Sequence, residues 1–199
     1  MFRFFIIVLS IISVGRLAEA KRDFFVEKDV RCGVGGVCYL AADSTPFNGK
    51  LRTYYPNGVV KADVEYQNGA KNGVASHYFP DGRQRLFQVF RNGVLHGGMS
   101  SYYNSGNVEA ETSYTDGVMN GPNKGFYENG TLKLENTYVN GVRHGRERSF
   151  SEDGKAVNDV MFDMGKPVTA ICRTNDGRTI NYSQEAEDYI RRNKTPCDE

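Results

Sequence analysis

Residues 48–69 read NGKLRTYYPNGVVKADVEYQNG. Three Asn-Gly pairs, Asn48-Gly49, Asn57-Gly58 and Asn68-Gly69, bracket two short stretches rich in aromatic and β-branched residues. Asn-Gly between such stretches is the strongest short-range signal for a hairpin, because both residues tolerate the positive φ that a tight reversal demands. Within the second stretch Val60, Ala62, Val64 and Tyr66 alternate with Lys61, Asp63 and Glu65. A period of two belongs to a strand with one covered and one wet face, and a helix of period 3.6 does not produce it.

The same frame recurs along the chain. One glycine series is Gly49, Gly73, Gly97, Gly121 and Gly145; a second is Gly58, Gly82, Gly106, Gly130 and Gly154; a third is Gly69, Gly93, Gly117, Gly141 and Gly165. Every interval within a series is 24 residues. Asn57, Asp81, Ser105, Asn129 and Asp153 precede the second series, and Asn68, Asn92, Asp116, Asn140 and Met164 precede the third. The glycines are read as structural turn positions, with primed turns at the second and third series. Tyr54, Tyr78, Tyr102, Phe126 and Phe150 form one aromatic column, and Tyr66, Phe90, Tyr114, Tyr138 and Phe162 form another, twelve residues on. A fixed period of this length means a stacked array of one supersecondary unit. The expected fold is all-β: an elongated single-layer antiparallel sheet of stacked β-hairpins over residues 47–166, ten strands and roughly 48 Å long at ~4.8 Å per strand.

The flanks read differently. Arg3, the apolar run 4–14 and Ala18-Glu19-Ala20 have the form of a signal peptide cleaved after residue 20, and eleven apolar residues are too few for a bilayer crossing, which takes about 20. The expected location is therefore exported, periplasmic or extracellular, with no membrane insertion after cleavage. Residues 21–46 and 167–199 read as N- and C-terminal caps, the latter with a turn at Asn175-Asp176-Gly177 and a short helix Gln184–Arg192 behind Ser183. Cys32, Cys38, Cys172 and Cys197 suit two disulfides in an oxidising compartment. The flexible Cys32–Cys38 loop is able to close on itself, leaving Cys172 and Cys197 as a second pair; pairing across the ends is the alternative. Formal net charge is +1, and loss of Arg3, Arg16 and Glu19 with residues 1–20 brings it to 0. That balance gives no electrostatic reason to expect nucleic acid as a partner.

The pattern N-G-x4-Y-Y-x-N-G-x7-Y-x-N-G at 48–69, echoed at 120–141, resembles the MORN-variant repeat of bacterial proteins often grouped as YwqK-family antitoxins. The resemblance spans five units, from residue 47 to about 166. It implies stacked hairpins and a role in protein interaction, with toxin neutralisation the role customarily attached to that group. The chain has no tryptophan, unlike the Y-x-G-x-W of eukaryotic MORN repeats, to which phospholipid binding is attributed.

Catalytic chemistry is not expected, nor any cofactor or metal. His96 and His144 fill the slot held by Asn48, Asn72 and Asn120 in the other repeats and read as turn residues; His77 reads as a surface strand residue. Glu109 and Glu111 belong to the charged face of a strand, where nothing separates two carboxyl pKa values as acid–base work requires. No phosphate loop, nucleophile elbow or metal-spaced cluster is present. The candidate binding face is the column Tyr55, Phe79, Tyr103 and Tyr127, which decays to Ser151. Tyrosines beside charges suit a protein surface or a sugar ring. The expected partner is a protein, the alternatives being a glycan or cell-wall polymer, or a structural spacer without a ligand.

Overall fold

A computed structural model describes residues 24–173 and 178–182. The expected signal peptide, the turn at 175–177, the helix Gln184–Arg192 and Cys197 lie outside the described residues. Before the repeats come β1 (Phe25–Val26), a single 3₁₀ turn, β2 (Val30–Cys32) and β3 (Cys38–Leu40). The repeats supply β4 (Gly49–Tyr54), β5 (Val60–Gln67), β6 (Ala70–Tyr78), β7 (Gln84–Arg91), β8 (Val94–Tyr102) and β9 (Val108–Thr115). They continue with β10 (Val118–Phe126), β11 (Leu132–Val139), β12 (Val142–Arg143), β13 (Gly145–Phe150) and β14 (Ala156–Asp163). A further hairpin, β15 (Lys166–Arg173) and β16 (Thr179–Tyr182), extends the array. All but β2 and β3 join one 14-stranded sheet in which successive repeat strands are neighbours. The sheet is a meander, antiparallel throughout the repeats, and each repeat is one hairpin as the period requires.

The three glycine series do three different jobs. Only the third makes primed turns: Asn68 and Gly69 have φ of 50° and 80°, and Asn92, Asp116, Asn140 and Met164 with their glycines repeat this. At the second series only the glycine is left-handed, 83° at Gly58. Gly58 N–H donates to the Tyr55 carbonyl at 2.9 Å, and Tyr55 N–H donates to the Val59 carbonyl at 2.8 Å. This is a type I turn followed by a bulge glycine, which corrects the expected primed turn. The cause is local: Asn57 Oδ1 accepts from Val59 N–H at 3.1 Å, as Asp81 and Asn129 accept from Arg83 and Thr131, and in the first two repeats Pro56 and Pro80 suit the turn without being required by it.

The first series is not a set of turns. Gly73, Gly97 and Gly121 lie inside β6, β8 and β10, at slips in register. Val64 pairs with Ala75 and Tyr66 with Lys71, so Glu65 alone faces Asn72, Gly73 and Val74. The bulge holds Gly73 at φ 106°, a conformation that strains any side chain. Glu65 accepts from Val74 N–H at 2.8 Å, and its Oε2 lies 2.2 Å from where a Gly73 Cβ would be.

These bulges explain the histidines as well. Asn68 N–H donates to Asn48 Oδ1 at 2.8 Å, and Asn92 N–H to Asn72 Oδ1 at 3.0 Å. Asp116 N–H donates to His96 Nδ1 at 3.2 Å, and Met164 N–H to His144 Nδ1 at 3.4 Å. His96 and His144 are thus strand-bulge acceptors rather than turn residues. The glycine N–H of each primed turn completes the clasp, as when Gly93 donates to the Lys71 carbonyl at 2.8 Å and Gly117 to that of Leu95 at 2.7 Å. Each of these primed turns therefore hangs on an acceptor 20 residues before it, near the start of its own repeat.

Burial is confined to patches. One cluster joins Val30, Cys38, Phe47 and Leu51 at the N-terminal end; Ala62, Val64 and Ala75 form a second, and Val160, Phe162 and Ala170 a third. Phe47 is fully buried between Phe25 and Tyr66, with ring centroids at 5.1 and 5.5 Å. The Cys32–Cys38 disulfide closes its own loop, and Cys38 N–H donates to the Gly69 carbonyl at 2.8 Å. The segment 24–47 is thereby fastened to the first primed turn and, through β1 on β4, covers part of that sheet edge.

A Cβ at Gly58 meets nothing within 4 Å, whereas at Gly69 it meets the Cys38 carbonyl oxygen at 2.7 Å. Gly58→Ala is expected to cost about 1–2 kcal/mol of left-handed strain, and Gly69→Ala a further ~1–3 kcal/mol for the displaced backbone. Met164 is the one primed-turn residue of its column that is neither Asn nor Asp. Met164→Asn should stabilise by about 0.5–1 kcal/mol. Urea unfolding midpoints of the three variants test the ranking.

Candidate functional site

Register assigns every strand residue to one of two faces. The apolar face carries Tyr66, Phe90, Tyr114, Tyr138 and Phe162 in one line near the clasps, and the intervening strands place Lys71, Leu95, Met119, Arg143 and Pro167 opposite them. Long side chains thus alternate with rings. Lys71 Nζ lies 5.0 Å from the Phe90 centroid and the Arg143 guanidinium 4.3 Å from that of Phe162, so cations cover apolar surface with their stems while their heads meet π faces.

Alongside runs a line that pattern reading missed. Thr112 Oγ1 donates to Asn123 Oδ1 at 2.8 Å, Asn123 Nδ2 to Asn136 Oδ1 at 2.9 Å, and Asn136 Nδ2 to Glu147 Oε2 at 2.8 Å. Arg143 Nη1 completes the file on Glu147 at 3.2 Å. Thr112 and Asn136 are each only 7% exposed, so the file is a desolvated network in which each donor has one designated acceptor. Its sequence signal is a change within a column: Val64, Gln88, Thr112, Asn136 and Val160 share one 24-residue slot, apolar at both ends and polar between. His77 lies on this face too. It is half-buried rather than fully on the surface, and burial, with Lys71, Arg85 and Lys61 nearby, pulls its pKa below the ordinary value.

The opposite face is charged. Arg52 donates to both Asp63 oxygens at 2.7 and 2.6 Å, Arg148 Nε to Glu135 at 2.7 Å, and Arg146 pairs with Asp159. The Arg146 hydrogen bond holds the Asp159 carboxyl below its usual range. Glu109 and Glu111 stand exposed on this face. Tyr54, Tyr78, Tyr102, Phe126 and Phe150 also belong to it by strand alternation.

The predicted column Tyr55, Phe79, Tyr103 and Tyr127 opens the second-series turns, along one long edge of the sheet. All four are half-buried. Tyr55 Oη donates to the Tyr78 carbonyl at 2.8 Å, Tyr103 Oη to that of Phe126 at 2.8 Å and Tyr127 Oη to that of Phe150 at 2.9 Å. Each hydroxyl therefore reaches one repeat ahead and fixes its ring across the edge. Asn57, Asn107 and Asn129 side-chain amides also donate to carbonyls of the next turn, at 3.0, 2.8 and 3.2 Å. Lys133 Nζ sits 5.4 Å from the Tyr127 centroid. Burial, then the negative charges of Glu109, Glu128 and Glu152, keep the Tyr103 phenol above its ordinary pKa. Among the described residues no group of three or more His, Cys, Asp or Glu side chains is placed to hold a metal ion.

Fold and edge together define a stacked-hairpin repeat protein whose adjacent units are tied at both margins. Residues 47–68, 95–116 and 119–140 match the MORN repeat variant family. Three of the five units thus match that family, and the units at 71–94, between the matches, and 143–166, after them, share the same hairpin geometry. No curated protein matches. Among solved structures, similarity is found to a chain of the GtfA/B complex bound to UDP and GlcNAc, at 11% identity over 60% of this chain and 24% of that one, with a TM-score of 0.25. A second GtfA/B complex matches at 14% identity over 64% and 22%, with a TM-score of 0.23. The chain thus corresponds to about a quarter of those proteins' length, and at such scores neither likeness bears on function.

Asn136→Ala should cost about 2–3 kcal/mol, since the amide of Asn123 and the carboxylate of Glu147 each lose a partner in a desolvated place. Asn136→Asp should be worse at neutral pH, because it sets a second carboxylate beside Glu147. Its deficit should shrink on acidification as one of the two takes a proton. Thermal melts between neutral and acid pH separate the two variants.

Proposed function

We propose that the chain is an exported, non-catalytic module that binds a protein partner along the aromatic edge formed by Tyr55, Phe79, Tyr103 and Tyr127. MORN repeats are commonly protein- or membrane-interaction modules and are typically non-catalytic. The observation that carries the reading is the hydroxyl staple, which holds each tyrosine ring in place with its face half open. A ring already fixed loses little entropy on binding, which is how aromatic anchors give affinity. The Cys32–Cys38 disulfide supports an oxidising compartment, and among the described residues no helix is long and apolar enough to cross a membrane.

The spacing of the rings limits the partner. Successive rings stand two strands apart, roughly 9.6 Å. Three residues of a polyproline-type segment, one full turn, advance about 9 Å. A segment running along the edge therefore presents every third side chain to a ring. The flanking Glu109, Glu128 and Glu152 favour a partner that is neutral or basic.

Envelope extract and purified peptidoglycan, each presented to immobilised protein, test the reading. A captured protein, once purified, should bind the Tyr55, Tyr103 and Tyr127→Phe triple variant a few-fold more weakly than the parent, since the rings remain but lose the hydroxyls that fix them. The corresponding triple Ala variant should bind about tenfold or more weakly. Equal binding by the folded Ala variant, or capture of peptidoglycan alone, would overturn the proposal.

A further inference from the structure

Repeats that share a backbone do not share their charge. Residues 71–94 hold Lys71, Arg83, Arg85 and Arg91 against Asp81, a net of +3, while residues 95–118 hold Glu109, Glu111 and Asp116 with no lysine or arginine, a net of −3 with His96 neutral. Arg91 and Asp116 cancel one another across the boundary near the clasps. On the charged face that leaves Arg85 on β7 and Glu109 and Glu111 on β9.

Elsewhere on this face, charges of adjacent strands pair within the chain: Arg52 with Asp63, Glu135 with Arg148, Arg146 with Asp159. Arg85, Glu109 and Glu111 make no salt bridge among the described residues. The strand between them, β8, presents Gly98 and Ser100 to that side, and two strand spacings, roughly 10 Å, hold the opposite charges apart.

Gly98 is the second anomaly. Its φ is not left-handed, and a Cβ built on it meets nothing within 4 Å. Lys50, Val74, Pro122 and Arg146 occupy the same slot in the other repeats. Nothing in the fold requires a glycine there, and a strand glycine without an internal cause marks the close approach of another backbone.

We infer that the charged face over β8 is the contact between two copies of this chain, related by a two-fold axis running along β8. That axis exchanges β7 with β9, so Arg85 of each copy faces Glu109 of the other. It also exchanges β6 with β10, which sets the 37%-exposed Val74 against Pro122 and Tyr78 against Phe126. Gly98 and Ser100 meet their own counterparts on the axis, where small residues let the sheets close. Adjacent repeats of opposite charge are what an isologous contact needs, because one surface must be complementary to itself.

Sedimentation equilibrium of the full chain from an exporting host tests this. The parent should be a dimer at micromolar concentration, weakened by added salt. Arg85→Glu alone and Glu109→Arg alone should each raise the dissociation constant about tenfold or more. An equimolar mixture of these two variants should restore dimers, since every charge contact across the axis is again opposite. Gly98→Val should keep the parental circular dichroism and thermal midpoint and yet be monomeric. A parent that stays monomeric, a mixture that fails to recover, or a Gly98→Val dimer as tight as the parent would overturn the inference.

Discussion

One constraint governs this molecule: a primed turn whose two N–H groups are both spent on the strand that opens its own repeat. The turn at Asn92-Gly93 gives one hydrogen to Asn72 Oδ1 and one to the Lys71 carbonyl. In most hairpins such groups face water and the turn is a local matter. Here the positive φ at both positions is what aims them at the neighbour, so the conformation that reverses the chain also stacks it. Among the described residues the sheet has no second layer to bury against, and its cohesion has to come from between strands. Turn chemistry supplies it on one margin, and the tyrosine hydroxyls and asparagine amides supply it on the other.

The bulge is the other half of that device. Gly73 sits at φ 106°, which strains any side chain, and the Glu65 carboxylate lies over the space a Cβ would take while it caps Val74 N–H. Bulging β6 brings Asn72 to the position from which it accepts. Pro122 fits the same logic: it follows the bulge glycine of β10, and in the repeat before last the N–H of that slot goes to a side chain rather than to the ladder. Proline there gives up no sheet hydrogen bond.

Period and turn type were legible at different depths. The 24-residue glycine frame, the strand alternation and the antiparallel meander all follow from Asn-Gly pairs and a period of two. What a single repeat hides is which glycine does what. Gly58 and Gly69 both follow asparagine, yet Asn57 turns its side-chain oxygen to Val59 N–H and stays out of the left-handed region, while Asn68 enters it and makes the primed form. Gly49 and its series looked like turns because asparagine precedes them too, and only the register slips reveal that asparagine as an acceptor for a chain segment 20 residues away. The Asn-to-His exchange at 96 and 144 was the available clue. Asparagine and neutral histidine share little except a side-chain acceptor at similar reach. The file from Thr112 to Glu147 escaped for the opposite reason, since its polar residues occupy slots that alternation assigns to the covered side and only cross-strand partners make them tenable.

The repeat specifies a scaffold, so recognition has to reside where copies differ. The clasp, the bulge and the type I turn are common to the units and carry no information about a partner. Side chains on the two faces are released from that duty, and they diverge: apolar slots become a polar file in the middle of one face, and on the other a cation and two anions that make no salt bridge among the described residues flank the strand that carries Gly98 and Ser100. Divergence of this kind costs stability, since Gln88, Asn123 and Asn136 replace side chains that would bury without partners, and Gly98 gives up strand propensity for no internal gain. All of these changes fall in the second to fifth units, away from the first, which the disulfide-closed segment already covers. In an array whose backbone is uniform, such costs gathered in one stretch are the mark of a surface shaped by what it meets.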